Sequence, residues 1–243
     1  MTDDSAALAI SGVSHDFGSV RALDDVSLTV PRGGFTALLG VNGAGKTTLF
    51  SLITRLYNNR SGTIRVGGFD LRRQPSEALA RLGVVFQSRA MDADLTIRQN
   101  LEYHASLHGI ARRAAKLRIA QVLEDVDLAD RAEARVSALS GGQSRRAEIA
   151  RALIHSPELL LLDEATVGLD VKSRAEVLAL TRRLIAGHGV SALWATHIMD
   201  EIEPVDDLVI LHRGRVLRAG RAAEIAGGAG LTQSFLDMTG LAA

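Results

Sequence analysis

The sequence has 243 residues, of which 47% are hydrophobic and 23% charged, so it is long enough and apolar enough to bury a core of its own. Basic and acidic residues both number 28, and the resulting net charge of zero argues against general binding to nucleic acid. The absence of cysteine excludes disulfides, thiolate metal sites and cysteine nucleophiles, and it fits a reducing compartment.

The N-terminus and the apolar runs indicate how the chain relates to a membrane. Residues 1–5 are acidic and lack an apolar segment, so we expect no signal peptide. The apolar runs are far shorter than the roughly 18 residues that a membrane span requires. If the protein works at a membrane, we expect another chain to supply the span.

The N-terminal part is predicted to form a small antiparallel layer. Residues 8–10 and 26–30 have the pattern of short strands, and a turn follows at 31–34. Phe17 is predicted to lie in the loop between the two strands. A further strand is expected at 63–66.

A phosphate-binding loop is predicted between an apolar strand at 35–39 and a helix over Lys46–Leu56, whose leucines recur at helical spacing. The intervening segment matches the pattern G-x-x-x-x-G-K-[ST] at every fixed position. Lys46 is expected to reach the β- and γ-phosphates of a nucleotide, and Thr47 to ligate Mg²⁺. An ordinary glycine-rich turn is the alternative. The residues expected around the phosphates are Gly40, Asn42, Gly43, Ala44, Gly45, Lys46, Thr47 and Thr48.

A helical insert is predicted over about residues 88–156. It follows a buried strand at 82–86, which ends at the polar Gln87. Its first helix opens with the capping box of Thr96 and Gln99, and a second amphipathic helix follows. A third helix opens with the capping box Ser140-x-x-Gln143 and stops before Pro157.

After the insert, the chain alternates strands and helices as a parallel sheet does. The predicted segments are strands at 159–162, 191–195 and 208–212, a helix over 171–186, a strand at 215–220 and short helical pieces over 222–240.

Two carboxylates, Asp163 and Glu164, follow the strand at 159–162. An apolar strand that ends in acids is common, so this pair is weak evidence by itself. Together with a phosphate loop, the pair becomes stronger evidence for a site of nucleotide hydrolysis. Mg²⁺ needs a carboxylate near Thr47, and hydrolysis needs an acid that orients and deprotonates water. We assign the first role to Asp163 and the second to Glu164.

The segment 139–143, Leu-Ser-Gly-Gly-Gln, completes a resemblance to ATP-binding cassette (ABC) proteins, together with the phosphate loop and the Asp-Glu strand. Gln87, Asp170 and His197 are similar to that family's Q-loop, D-loop and switch histidine, and Phe17 to its adenine-stacking aromatic residue. Two positions depart from the family pattern, Val41 and Ala165, where proline is frequent. The resemblance implies that Ser140, Gly141, Gly142 and Gln143 bind the γ-phosphate of ATP held by a second subunit.

Each weaker candidate also has a structural explanation. A histidine in the position of His197 is more often an ordinary core or surface residue. Gln87 by itself does not indicate a function, because a polar residue ends most strands. A lone phenylalanine such as Phe17 is usually part of the core. Asp170 has the position of the N-cap of the helix that begins near Val171.

The resemblance implies a single ABC-type domain over 1–243, with a core formed by 1–87 and 157–243 and the helical subdomain of about 88–156. The implied fold is α/β, a P-loop NTPase core with a mainly parallel sheet and a small antiparallel layer. ATP and Mg²⁺ are the implied cofactors, with catalysis by Lys46, Gln87, Glu164 and His197 and metal binding by Thr47, Gln87 and Asp163.

The implied function is that of the ATP-hydrolysing subunit of an ABC transporter, resembling exporters of drugs, polysaccharides and lipids. Its implied partners are a second ATP-binding subunit, identical or different, and a separate transmembrane permease; no nucleic acid is expected. It would then be cytoplasmic, on the inner face of the cell membrane. The alternatives are a soluble ABC-type ATPase acting on nucleic acid or ribosomes, and a nucleotide-binding module without turnover.

Overall fold

The computed structural model describes residues 6–240. The stretch 1–5, where we expected no signal peptide, lies outside the described residues, as do residues 241–243. In chain order the strands are β1 (Ala6–Phe17), β2 (Val20–Pro31), β3 (Phe35–Leu39), β4 (Thr63–Val66), β5 (Phe69–Asp70), β6 (Leu82–Val85), β7 (Leu159–Asp163), β8 (Ser191–Thr196), β9 (Asp207–His212) and β10 (Arg215–Arg221). The α-helices are α1 (Lys46–Ile53), α2 (Pro75–Leu79), α3 (Ile97–Leu107), α4 (Arg112–Asp125), α5 (Gly141–Leu153), α6 (Val171–His188), α7 (Ala222–Ala226) and α8 (Leu231–Thr239).

The strands form two sheets. A six-stranded sheet has the order β10-β9-β3-β8-β7-β6, in which β10 alone of its described strands runs antiparallel to its neighbour. A four-stranded antiparallel sheet has the order β2-β1-β4-β5. The α/β class, with a mainly parallel sheet and a small antiparallel layer, is therefore confirmed.

Strand alternation divides the apolar core between the two faces of the larger sheet. Leu159 and Leu161 of β7 pack with α1 and the antiparallel sheet, whereas Leu160 and Leu162 pack on the opposite side with α3, α4, α5 and α6. Successive side chains of a strand point to opposite faces, and a strand buried on both faces is apolar throughout. The sheet is thus covered on both sides.

The expected helical insert consists of α3, α4 and α5. Both predicted capping boxes are present: Thr96 accepts a hydrogen bond from the Gln99 backbone, and Ser140 accepts one from the Gln143 backbone. The apolar side chains of the insert belong to the same buried cluster as those of the sheet. Arg151 of α5 also donates a hydrogen bond of 3.0 Å to the Val84 carbonyl. The insert therefore packs directly on the sheet.

The structure corrects two predictions in the N-terminal part. Phe17 does not lie in a loop: it is the last residue of β1 and pairs with Val20 across a two-residue turn. Shifts in the β1–β2 register interrupt the apolar alternation, which is why the strands looked shorter. Helix α1 ends at Ile53 rather than Leu56. Arg55 has a φ of 59°, which lies in the left-handed region and is incompatible with a right-handed α-helix.

No helix within residues 6–240 is both long enough and apolar enough to cross a membrane.

Candidate nucleotide-binding site

The predicted phosphate loop connects β3 to α1. Gly45 is the N-cap of α1 with a φ of 109°, and no side chain caps the helix. Its first N–H groups are therefore left for an anion, and the helix dipole favours a negative charge there. A Cβ on Gly40 would lie 2.6 Å from the Leu211 carbonyl oxygen, so this position has no room for a side chain.

Lys46 is almost fully buried beneath this loop, with 5% of its surface exposed. Its Nζ donates hydrogen bonds to the carbonyls of Gly40 at 2.6 Å and Val41 at 3.3 Å. The same atom lies 3.3 Å from Oε1 of Glu164. The ammonium group is therefore held at the loop, and part of its charge is balanced by the carboxylate that follows β7.

The loop forms one wall of an open cleft of about 550 Å³. Residues of β2, the segment after β6, the end of β7 and the β9–β10 turn complete the lining. The lining residues are Val20, Arg21, Ala22, Asn42, Gly43, Ala44, Gly45, Lys46, Thr47, Thr48, Gln87, Glu164, Arg213 and Gly214. The cleft thus joins most of the predicted phosphate-loop residues to Gln87 and Glu164.

Glu164 is the meeting point of the predicted catalytic residues. Gln87 Nε2 donates a hydrogen bond of 3.2 Å to its Oε2, and His197 Nδ1 lies 3.2 Å from its Oε1. These residues follow β6, β7 and β8, which are adjacent parallel strands, so their side chains emerge at the same edge of the sheet. With Lys46, three groups surround the carboxylate.

Asp163 is the last residue of β7 and is buried. Burial raises the pKa of its carboxyl group to about 6; the charge of Glu164 adds to this shift, and Lys46 opposes it. A buried carboxylate of this kind gains from a nearby cation. Thr47 is exposed at the cleft, whereas Asp163 is not among the described residues that line it. Carboxylate and hydroxyl oxygens suit Mg²⁺, so the donor chemistry of the two residues fits the expected metal.

Phe17 lies outside the core, with 45% of its surface exposed. Its ring makes edge contacts with His15 and Tyr57, at centroid distances of 4.7 and 5.4 Å. Phe17 is not among the described lining residues of the cleft, but its strand partner Val20 is. Residue 17 is therefore linked to the edge of the cleft through its strand partner, and its exposure argues against the core explanation.

The Ser140 helix is separate from this cleft. Among the described residues that line the cleft, none comes from 140–143. The start of α5 instead packs on α6: a Cβ on Gly142 would come within 3.0 Å of the Ser173 side chain. The predicted nucleotide contacts of this segment are therefore not part of the chain's own cleft, as far as the described lining shows.

Asp170 is the N-cap of α6, as the structural explanation predicted. It accepts hydrogen bonds from the Ser173 backbone at 2.9 Å and the Ser173 hydroxyl at 2.7 Å. These bonds hold the pKa of its carboxyl below the usual range. Capping of α6 thus explains the conformation of the Asp170 side chain without a contact to a second subunit.

Two charged residues of α5 bind the segment after β6, and sequence reasoning missed both. Arg145 donates hydrogen bonds to the carbonyls of Phe86 at 2.7 Å and Gln87 at 3.3 Å. Glu148 accepts from the backbone N–H groups of Ala90 at 2.7 Å and Met91 at 3.0 Å. The available signal was that both lie among the apolar positions of α5, where a charge needs a partner.

A buried carboxylate behind the site was missed as well. Glu201 accepts hydrogen bonds from the Thr166 hydroxyl and from Trp194 Nε1, the latter at 2.9 Å. It joins the segment after Glu164 to β8 and so supports the position of two site strands.

The family model described as "ABC transporter" matches residues 23–167. The chain is 39% identical over 220 residues to the daunorubicin resistance ATP-binding protein DrrA3 of Streptomyces coeruleorubidus, covering 90% of this chain and 69% of that protein. It is 38% identical over 216 residues to the Nod factor export ATP-binding protein I of Rhizobium johnstonii, covering 88% of this chain and 69% of the relative. ATP-binding proteins named for sulfate/thiosulfate import match over a similar span.

The fold is also similar to a solved structure described as the ATP-binding subunit of an ABC transporter. The TM-score is 0.83 at 28% identity, and the match covers 96% of this chain and 99% of that chain.

Proposed function

Since the chain belongs to the ABC transporter family as an ATP-binding subunit that hydrolyses ATP to power transport, we propose that it acts as a dimer that drives export through a separate permease. The observation that supports ATP hydrolysis in this proposal is the position of Glu164 between Lys46, Gln87 and His197 at the edge of the phosphate loop.

In this proposal, ATP binds with its phosphates in the loop of residues 40–48 and its adenine near Phe17. Lys46 neutralises phosphate charge. Because Lys46 now faces Glu164, a bound phosphate would compete for the ammonium and release the carboxylate to act on water. His197 then keeps Glu164 oriented. Asp163, Thr47 and Gln87 would hold Mg²⁺, which, when bound, offsets the negative charge of the phosphates.

The proposed dimer follows from the separation of the two anion sites. Residues 140–143 present a capped helix end that does not reach the chain's own cleft, judged from the residues described. A second subunit, identical or different, could place its own 140–143 segment over this cleft. Each ATP would then be held by both chains, and Asp170 would lie near the junction.

The proposed permease partner would bind near Gln87 and α3, on the cytoplasmic face of the membrane. Tyr103 and Leu107 of α3 are each 64% exposed, and large apolar side chains at such levels mark contact surfaces when they cluster. Residues 88–156 would then move as the helical subdomain. Export is favoured by the resistance and export relatives. Salt-sensitive binding of the chain to DNA or RNA would instead support the soluble alternative.

The experiment is size-exclusion chromatography of Glu164→Gln with and without Mg-ATP. Loss of the general base should slow water attack by at least about 10² to 10⁴-fold while ATP still binds. Unhydrolysed ATP should therefore hold the dimer together. A variant that stays monomeric at saturating ATP would contradict the shared-site mechanism.

Ser140→Arg added to Glu164→Gln supplies the control. Ser140 is exposed at the end of α5, so the larger side chain should block the contact in the partner without touching the chain's own loop. The double variant should bind ATP and remain monomeric.

A further inference from the structure

Three histidines that the nucleotide site does not use come together at the junction of the insert and the sheet. His104 and His108 are four residues apart on one face of α3 and its C-cap, and His155 follows α5. One ring nitrogen from each of the three lies within 4.8 Å of the other two. The rings of His108 and His155 are stacked at a centroid distance of 3.9 Å. We propose that His104, His108 and His155 form a binding site for a late first-row divalent cation such as Zn²⁺.

The hydrogen bond of His155 leaves one of its nitrogens in the form that binds a metal. Its Nε2 lies 3.1 Å from the Leu82 carbonyl oxygen, which can only accept, so Nε2 carries the proton. Nδ1 therefore holds the lone pair. It is buried and has no hydrogen-bond partner in residues 6–240. A backbone carbonyl that fixes the tautomer of a histidine is the usual outer support of a metal ligand.

The environment keeps the other two rings in the neutral form as well. Burial lowers the pKa of His104 and of His155 to about 4, and it also lowers the pKa of His108. Neutral imidazole is the form that ligates Zn²⁺, Cu²⁺ and Ni²⁺. His108 is itself exposed, which gives an ion access from solvent.

The nearby cations are engaged by other partners. Arg151 lies 3.1 Å from Glu148, and Arg118 donates a hydrogen bond of 2.8 Å to the Leu153 carbonyl. Both guanidinium groups contribute to the lowered pKa of His155, so they also repel a bound ion, and Glu148 offsets part of this repulsion.

The required rearrangement is small. Three nitrogens about 2.1 Å from a tetrahedral Zn²⁺ are about 3.4 Å apart, compared with the present separations of up to 4.8 Å. The stacked rings must turn so that their lone pairs converge. Because His108 is exposed, we expect its side chain to supply most of this rotation. Water would complete the coordination, and the ion would tie α3 to the segment that leads into β7.

The test is equilibrium dialysis of the full chain against Zn²⁺ without nucleotide, with Co²⁺ absorption as a report on tetrahedral ligands. Wild type should take up one ion per chain. His108→Asn should bind at least about 10 to 100-fold more weakly, since loss of an outer support alone has that effect. As His108 is exposed, this variant should fold. Zn²⁺ should also raise the unfolding temperature of wild type and not that of His108→Asn.

Two further variants make the result decisive. His188→Asn removes an exposed histidine elsewhere and should bind Zn²⁺ like wild type. His108→Cys should restore binding and add a sulfur-to-cobalt absorption band, because the chain has no other cysteine. The proposal is overturned if wild type takes up no Zn²⁺, or if His108→Asn binds it as tightly as wild type.

Discussion

The guanidinium of Arg145 donates a 2.7 Å hydrogen bond to the carbonyl of Phe86, the residue before Gln87. Arg145 is in the first half of α5, the helix whose N-cap is Ser140. One buried side chain therefore connects the helix proposed to contact the partner's ATP with the residue that binds Glu164. We expect this contact to couple the position of α5 to that of Gln87.

Arg145→Gln is expected to weaken this connection. The loss of hydrogen bonds from a buried charged donor should lower the free energy of unfolding by about 1.5 to 3 kcal/mol, measured by urea titration. ATP affinity should change little, whereas ATP-dependent dimerisation in the Glu164→Gln background should decrease. Arg113→Gln, at an exposed position of α4, is the matched control and should alter neither quantity. Unchanged unfolding in Arg145→Gln would show that the contact is dispensable.

Lys46→Ala should abolish productive ATP binding, because it removes the buried cation that we propose neutralises the phosphate oxygens. Loss of one such group typically lowers turnover by about 10² to 10³-fold. Nucleotide titration and phosphate release measure the two effects. Lys172→Ala is the matched control, since the Lys172 side chain is 87% exposed. Equal ATP binding by the two variants would refute the assignment of the loop.

Phe17→Ala should weaken the binding of ATP and of GTP by about 1 to 3 kcal/mol if the ring stacks on the base. Phe17→Tyr should bind normally, since it keeps the aromatic face. Because Phe17 is 45% exposed, its removal should leave the unfolding temperature nearly unchanged. A folding defect with normal affinity would mean that the ring supports His15 and Tyr57 instead.

Asp170→Ala and Asp170→Ser separate capping from catalysis. The alanine variant loses the hydrogen bonds to Ser173 and should be less stable than wild type. The serine variant can still cap α6 and should regain that stability. If Asp170 also acts at the dimer junction, ATP hydrolysis should remain low in Asp170→Ser. Full activity of the serine variant would reduce the role of Asp170 to capping.

The features that the sequence determined by itself are those encoded in short segments. The phosphate loop and the capping boxes at Thr96 and Ser140 depend on residues at most eight positions apart, so their geometry follows from local backbone rules. The alternation of strands and helices after residue 157 likewise predicts a parallel sheet. The end of Phe17's strand was missed because bulges break the alternation that reveals a strand.

The tertiary structure decided which distant side chains meet. Lys46, Gln87, Glu164 and His197 come from four segments, and only the order of β6, β7, β8 and β3 in the sheet brings them to one carboxylate. Arg145 and Phe86 are 59 positions apart in the sequence. In the histidine cluster, His155 is 51 positions from His104 and 47 from His108. No local sequence pattern marks either contact. Such contacts depend on how whole elements pack against one another, which short-range spacing does not encode.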